Sequence, residues 1–183
     1  MRSFFLATVV SMACTPPAFA QEMMSGPDKG VAAPALKVFD ATGAFKDKEA
    51  DYAADRKDRP TVYLFINAEK FDRPMNRFMK ELDAAVKKDF EEGYIVAVWV
   101  TGDADKTKEL LPKVQQSVQY EVTALTVFSG QEGPTGWNVN ADCHLTAVVA
   151  YKGKVAATFG YQSINETNVA QVKATLEKTI KGK

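Results

Sequence analysis

The sequence has few cysteines and histidines and no excess of either charge. Its 183 residues include two cysteines and one histidine, and 23 lysines and arginines balance 23 aspartates and glutamates. Nucleic-acid surfaces and membrane-binding patches normally need clustered excess lysine and arginine, so the balance argues against both partners. The composition is that of a globular domain with an ordinary share of apolar residues, 46% of the chain.

The N-terminal segment has the features of an export signal. Arg2 supplies a positive charge, residues 4–10 are apolar, and a small-x-small cleavage site ends at Ala20. The apolar part is shorter than the roughly 20 residues that a membrane-spanning helix needs. We therefore predict a signal peptide over residues 1–20, cleaved after Ala20, and a secreted or periplasmic protein that is not inserted in the membrane after cleavage.

The predicted mature chain begins with a flexible leader and continues as a single domain. Residues 21–34 are small and polar and are interrupted by glycine and proline, which predicts the leader. Residues 35–183 are long enough to form one domain with a substantial core. Cleavage would remove Cys14 and leave Cys143 as the only cysteine, so the domain must fold without an internal disulfide.

Hydrophobic patterning predicts alternating strands and helices. Strands are predicted at residues 36–40, 61–67, 94–101, 125–128, 145–151 and 155–161, and helices at about 73–90, 103–120 and 164–180. The fourth strand is short and should lie at an edge, and Pro112 should kink or divide the second helix. Ser163 and Glu166 have the spacing of a capping box for the last helix. The charged residues 46–59 predict a solvated surface segment.

The junction between the strand at residues 61–67 and the next helix is the natural place for a functional site. Asp72 is predicted to cap the helix and Pro74 to lie in its first turn. Backbone amides and the positive end of the helix dipole would then point toward the loop. Many enzymes place a nucleophile there, but residues 67–74 contain no cysteine, serine or histidine.

The chain from about residue 31 to residue 180 resembles the thioredoxin-like superfamily, in particular its secreted redoxin or thiol-peroxidase-like branch. The stretches that resemble the family's strands and turns are residues 33–40 with Gly43, 59–65, 126–129 with 137–139, 145–149, 153–155 and Gly160. The resemblance implies an α/β fold with a mixed central sheet, helices on both faces, and a C-terminal β-hairpin followed by a helix.

The chain departs from this family at both positions that carry its redox chemistry. The family's dithiol enzymes have Cys-x-x-Cys, and its peroxidases a threonine-and-cysteine loop, where this chain has residues 68–74 without sulfur. A thiolate is the attacking species in both chemistries. The family's cis-proline would fall near residues 142–145, which contain no proline. These departures argue against dithiol exchange and against the standard peroxidase reaction.

Two functional hypotheses follow from these departures. The first is an exported, redox-inactive domain that binds an unidentified protein or small molecule in a groove formed by Asn67, Glu69, Asp72, Arg73, Pro74 and Asp142. The alternative is a thiol oxidoreductase or peroxidase-like enzyme with Cys143 as nucleophile and His144 as base, tuned by Arg73 or Asp72. The resemblance places Cys143 near the helix start, where the dipole would lower its pKa. Packing in the core explains an isolated cysteine as well, and we prefer it.

A metal site is a third hypothesis. Its ligands would be Cys143, His144 and Asp142, completed by Glu69 or Asp72. One cysteine and one histidine are a thin set, because structural zinc sites usually take four such ligands. We therefore predict no metal and no other cofactor.

Overall fold

The computed structural model describes residues 22–182, so the predicted signal peptide at residues 1–20 lies outside the described residues. Within the described range, no helix is both long enough and apolar enough to cross a lipid bilayer. The strands are β1 (Glu22–Met23), β2 (Lys37–Asp40), β3 (Lys48–Asp51), β4 (Thr61–Asn67), β5 (Tyr94–Thr101), β6 (Thr123–Ser129), β7 (Leu145–Tyr151) and β8 (Lys154–Tyr161). The helices are α1 (Tyr52–Asp55), α2 (Arg73–Asp89), α3 (Ala104–Val118) and α4 (Val169–Lys181).

All eight strands belong to one mixed sheet with the order β1-β8-β7-β4-β5-β6-β2-β3. The three central strands β4, β5 and β6 run parallel, and the remaining pairs are antiparallel. The apolar runs of β4 and β5 are buried on both faces, as continuous apolar strands in a covered sheet should be. The predicted mixed sheet with its C-terminal hairpin and helix is confirmed.

The two faces of the sheet are covered unequally. Alternate residues of β4 point to opposite faces, so Leu64 packs among residues of α2 and α4, and Phe65 packs in the other cluster. The three long helices share the first face, which is the larger core. The second face is covered by the short α1 and by Trp137, whose indole Nε1 donates to the carbonyl oxygen of Ala35 at 3.0 Å. Helices therefore lie on both faces, but only four helical residues lie on the second.

The prediction that the strand near residues 125–128 lies at an edge is wrong. β6 pairs with β5 on one side and with β2 on the other, and β3 extends the sheet further. The sequence pattern missed β3 because its residues are mostly charged and lie at the true edge. The charged segment also contains Tyr52, which is buried and donates its hydroxyl to the Asp40 carboxylate at 2.6 Å.

Two details of the helices were not settled by the sequence. Pro112 lies inside α3, which is continuous over 15 residues, so it does not divide the helix, and the alternative of a kink at Pro112 stays a prediction. Ser163 does not cap the final helix. Instead, Asn165 and Asn168 form a reciprocal capping box on a 3₁₀ turn over Glu166–Asn168, and α4 continues from it.

Residues 22–34, called here the N-terminal strap, pack along β8 rather than forming the predicted flexible leader. β1 pairs with Gly160 and Tyr161, and the amide of Gly30 donates to the carbonyl oxygen of Val155 at 2.7 Å. The hydroxyl of Ser25 is 2.6 Å from that of Thr146, and both groups are buried. The strap is held because the outer edge of β8 offers backbone groups that need partners.

Candidate functional site

The β4–α2 junction is closed by its own polar side chains. Asn67 ends β4, and its side chain accepts a hydrogen bond from the amide of Glu69 at 3.1 Å within the 3₁₀ turn Ala68–Lys70. Asp72 caps α2 as predicted, and its Oδ1 accepts from the amide of Met75 at 2.8 Å. Pro74 lies in the first turn of the helix. A carboxylate therefore already occupies the electropositive end of α2.

Cys143 is buried on the face of the sheet opposite to α2. Its side chain is 4% exposed, and it borders a small cavity of about 20 Å³ together with Phe65 and Val139 of the second-face cluster. A Cβ added at Gly160 would lie 3.0 Å from the Cys143 sulfur. The resemblance placed this thiol beside the start of α2. The alternation of side chains across the sheet turns it to the other face.

His144 is anchored through its backbone between β4 and β8. Its amide donates to the carbonyl oxygen of Tyr161 at 2.8 Å, and its carbonyl oxygen accepts from the amide of Asn67 at 3.1 Å. Its side chain is partly exposed, whereas the neighbouring Cys143 is buried. Adjacent residues in an extended segment point in opposite directions, so this geometry does not favour a thiol–imidazole pair.

The residues of the predicted groove border three cavities, two of which adjoin and share Asn67, Val100 and Gln131. Asn67 borders the small cavity at Cys143 and, with Glu69, a second cavity of about 220 Å³ at the ends of β5 and β6. Asp72 and Arg73 border a third cavity, of about 490 Å³, between α2 and α3. Among the described residues, Pro74, Asp142 and His144 line none of these three cavities. The structure therefore places Asn67 and Glu69 at one cavity and Asp72 and Arg73 at another.

The structure does not assemble a metal site from the described residues. Across residues 22–182, no three His, Cys, Asp or Glu side chains are placed together to hold a metal ion. The carboxylate of Asp72 serves as the helix cap, and Cys143 faces the opposite side of the sheet from α2. The ligand set considered from the sequence is thus divided between two faces.

The cavity between α2 and α3 is the largest of these three. Its walls combine apolar side chains, among them Phe71 and Leu110, with the charged Arg73 and Lys113. Behind it, the hydroxyl of Tyr120 donates to Asn76 Oδ1 at 2.9 Å and so links the loop after α3 to α2. Burial, with the negative charge of Asp83 as a smaller cause, raises the pKa of Tyr120 above its usual value. This tyrosine is therefore a neutral hydrogen-bond donor at physiological pH.

Several solved structures of bacterial proteins have a similar arrangement of elements. A DsbF homologue from Corynebacterium diphtheriae superposes with a TM-score of 0.57 at 18% identity, covering 90% of this chain and 99% of that one. A peroxiredoxin-like protein from Aquifex aeolicus gives 0.57 at 13% identity, over 87% and 91%. The peroxidoxin BcpB from Mycobacterium tuberculosis gives 0.58 at 14% identity, over 82% and 97%. The chain has a thioredoxin-like fold.

This likeness establishes the thioredoxin-like fold and nothing finer. No protein-family model matches the chain, and no curated protein matches it significantly. Identities of 13% to 18% leave the activity open, because one fold supports many functions. The site itself must carry any argument about function.

Sequence reasoning missed several residues that line the cavities. Thr101 ends β5 and Gln131 follows β6, and both line a cavity with Asn67 because parallel strands end at the same edge of the sheet. The strand pattern alone did not show that these three strands are parallel. The apolar pattern of the predicted helix at residues 103–120 includes both Leu110 and Leu111, but only Leu111 is buried, and Leu110 is 47% exposed.

Proposed function

We propose that this protein is an exported, non-enzymatic binding domain built on a thioredoxin-like fold. One observation carries the proposal: the N-terminus of α2 is occupied by the Asp72 carboxylate, while the thiol of Cys143 is buried on the opposite face of the sheet. The fold's neighbours in the structural comparison have thiol-protein names, but this chain lacks a thiol at the corresponding junction.

The chemistry of thiol exchange explains why this observation supports a binding role. A reactive cysteine needs an exposed thiolate and a nearby positive charge or helix N-terminus that stabilises it. Here Asp72 places a negative charge at the helix end, and Cys143 has no access to that end. The competing hypothesis, in which Cys143 is a nucleophile and His144 its base, needs a thiol that solvent can reach.

Export is the second part of the proposal. The charged, apolar and small-residue regions of residues 1–20 support it. Sequencing the N-terminus of protein recovered from the extracytoplasmic fraction of expressing cells should identify Gln21 as the first residue. Full-length protein confined to the cytoplasm would refute export and leave the binding role unaffected.

The absence of thiol chemistry can be tested against a matched gain of function. Wild type and Cys143→Ser should both show only background rates of insulin disulfide reduction and hydrogen peroxide consumption. A double variant, Asp72→Cys with Met75→Cys, places Cys-x-x-Cys at the start of α2 and should gain disulfide reductase activity, because the helix N-terminus then stabilises a thiolate. Wild-type turnover that is lost in Cys143→Ser would overturn the proposal in favour of the thiol enzyme.

A further inference from the structure

The cavity between α2 and α3, called here the α2–α3 groove, is an exposed apolar surface with charged sides. It has a volume of about 490 Å³ and is lined by Phe71, Arg73, Leu110, Lys113, Val114 and Val118, among others. We propose that this groove binds a short amphipathic helical segment of a partner protein that carries carboxylates beside its apolar side chains. The inference rests on the proposed binding role and names the surface and the class of partner.

The apolar part of the groove is formed by the half-buried Phe71, Val114 and Val118, which also pack against the core, and by the exposed Leu110. Leu110, Val114 and Val118 are spaced four residues apart on α3 and form a stripe about 12 Å long. Leu110 is 47% exposed, whereas the adjacent Leu111 is fully buried in the core. Opposite the stripe, the ring of Phe71 is held against Trp99 with centroids 5.4 Å apart. Leu110 and Phe71 line the same cavity, so an apolar side chain of a partner that enters it would contact both.

The basic side chains that line the groove, Arg73 and Lys113, are not paired with acidic groups in the part of the chain that the structure describes. Within the described residues, neither Arg73 nor Lys113 makes an ion pair or a side-chain hydrogen bond. The one carboxylate that lines the groove, Asp72, is engaged by the amide of Met75. A partner with acidic side chains would therefore find two unpaired cations, and a basic partner would be repelled.

The shape and length of the groove favour a helical segment of about two turns. The 12 Å stripe matches apolar anchors spaced four residues apart on a docked helix, which is how amphipathic helices bind grooves. Carboxylates on either side of the anchors would reach Arg73 on the α2 side and Lys113 on the α3 side.

Fluorescence anisotropy with two synthetic peptides tests the proposal. The first is a fluorescein-labelled amphipathic helix with leucines four residues apart and glutamates beside them, and the second has lysines in place of the glutamates. Wild type should bind the glutamate peptide about tenfold or more tightly than the lysine peptide. Leu110→Ser and Lys113→Glu should each weaken binding of the glutamate peptide by about tenfold. Lys106→Glu, an exposed change on the same helix but outside the groove, should leave it unchanged.

The outcomes separate this inference from the proposed function. Equal affinity for the two peptides, no binding of either, or binding that Leu110→Ser and Lys113→Glu do not alter would overturn the groove assignment. The binding role would then still stand if wild type shows no thiol turnover. Cys143-dependent turnover would refute the role itself, whatever the peptides do. A concentration-dependent dimer in sedimentation that is lost in Leu110→Ser would assign the groove to a second copy and also overturn the inference.

Discussion

Replacing Asp83 by alanine tests how α2 is attached to the start of β6. Asp83 is buried, and its carboxylate accepts hydrogen bonds from the amides of Glu121 and Val122, each at 3.0 Å, and from the hydroxyl of Thr123 at 2.6 Å. Alanine would leave all three donors without this acceptor. The side chain is therefore expected to hold the loop between α3 and β6 in place.

The expected loss of free energy of unfolding in Asp83→Ala depends on how well water can reach the three donors. A donor left without its partner costs about 1–3 kcal/mol when water cannot reach it. The amides of the exposed Glu121 and the half-buried Val122 can partly rehydrate, whereas the hydroxyl of Thr123 is buried. Asp83→Ala also removes the free-energy cost of burying a charged carboxylate, and this offsets part of the lost stability. We expect a loss of about 3 kcal/mol, or a decrease in Tm of about 6–12 °C for a domain of this size.

Urea unfolding followed by far-UV circular dichroism measures this loss. In Asp83→Asn, the side-chain carbonyl oxygen still accepts from the Val122 amide and the Thr123 hydroxyl, but the NH₂ group faces the Glu121 amide and cannot accept from it. This variant should therefore lose about half as much free energy of unfolding as Asp83→Ala. Glu81→Ala, an exposed change on the same helix, should cost less than about 0.5 kcal/mol. The reasoning is refuted if Asp83→Ala destabilises the protein no more than Glu81→Ala does.

Three further predictions follow from buried groups. Cys143 is buried, so it should react with iodoacetamide only when the protein unfolds. Gly160→Ala should make it reactive in the folded protein, because the added Cβ would push the N-terminal strap away. Rapid labelling of folded wild type, detected by mass spectrometry, would contradict this. Gly43→Ala should lower the free energy of unfolding, measured in urea, by about 2–3 kcal/mol, because the added Cβ would overlap the Tyr52 hydroxyl. An unchanged urea midpoint would show that the backbone of this turn shifts to accommodate the Cβ. Burial raises the pKa of Tyr52, Tyr63 and Tyr120, so above about pH 10 only the unfolded state loses those protons. The free energy of unfolding then falls by about 1.4 kcal/mol per pH unit for each of these tyrosines. Phenolate absorbance should then rise together with the loss of circular dichroism, and an earlier rise would refute the protection of Tyr52, Tyr63 and Tyr120.

The candidate site was only partly predictable. The Asp72 cap and the absence of a thiol at the β4–α2 junction follow from local spacing, because a cap depends on residues three positions apart. The position of Cys143 depends on which face of the sheet each side chain takes, and strand register decides that. Leu110 shows the same limit, since a stripe with leucines at 110 and 111 does not say which of them reaches the core.

The sequence by itself determined the strands and helices that have a strong local hydrophobic pattern. β4, α2, β5, the final hairpin and α4 each have a continuous apolar run or a helical stripe, and the structure contains them within a few residues. Only the tertiary structure decided that the charged β3 is a strand, that residues 22–34 lie along β8, and that α2 and α3 leave a groove between them. These features depend on partners distant in sequence, namely the open edges of β2 and β8 and the spacing of two helices, which no local pattern records.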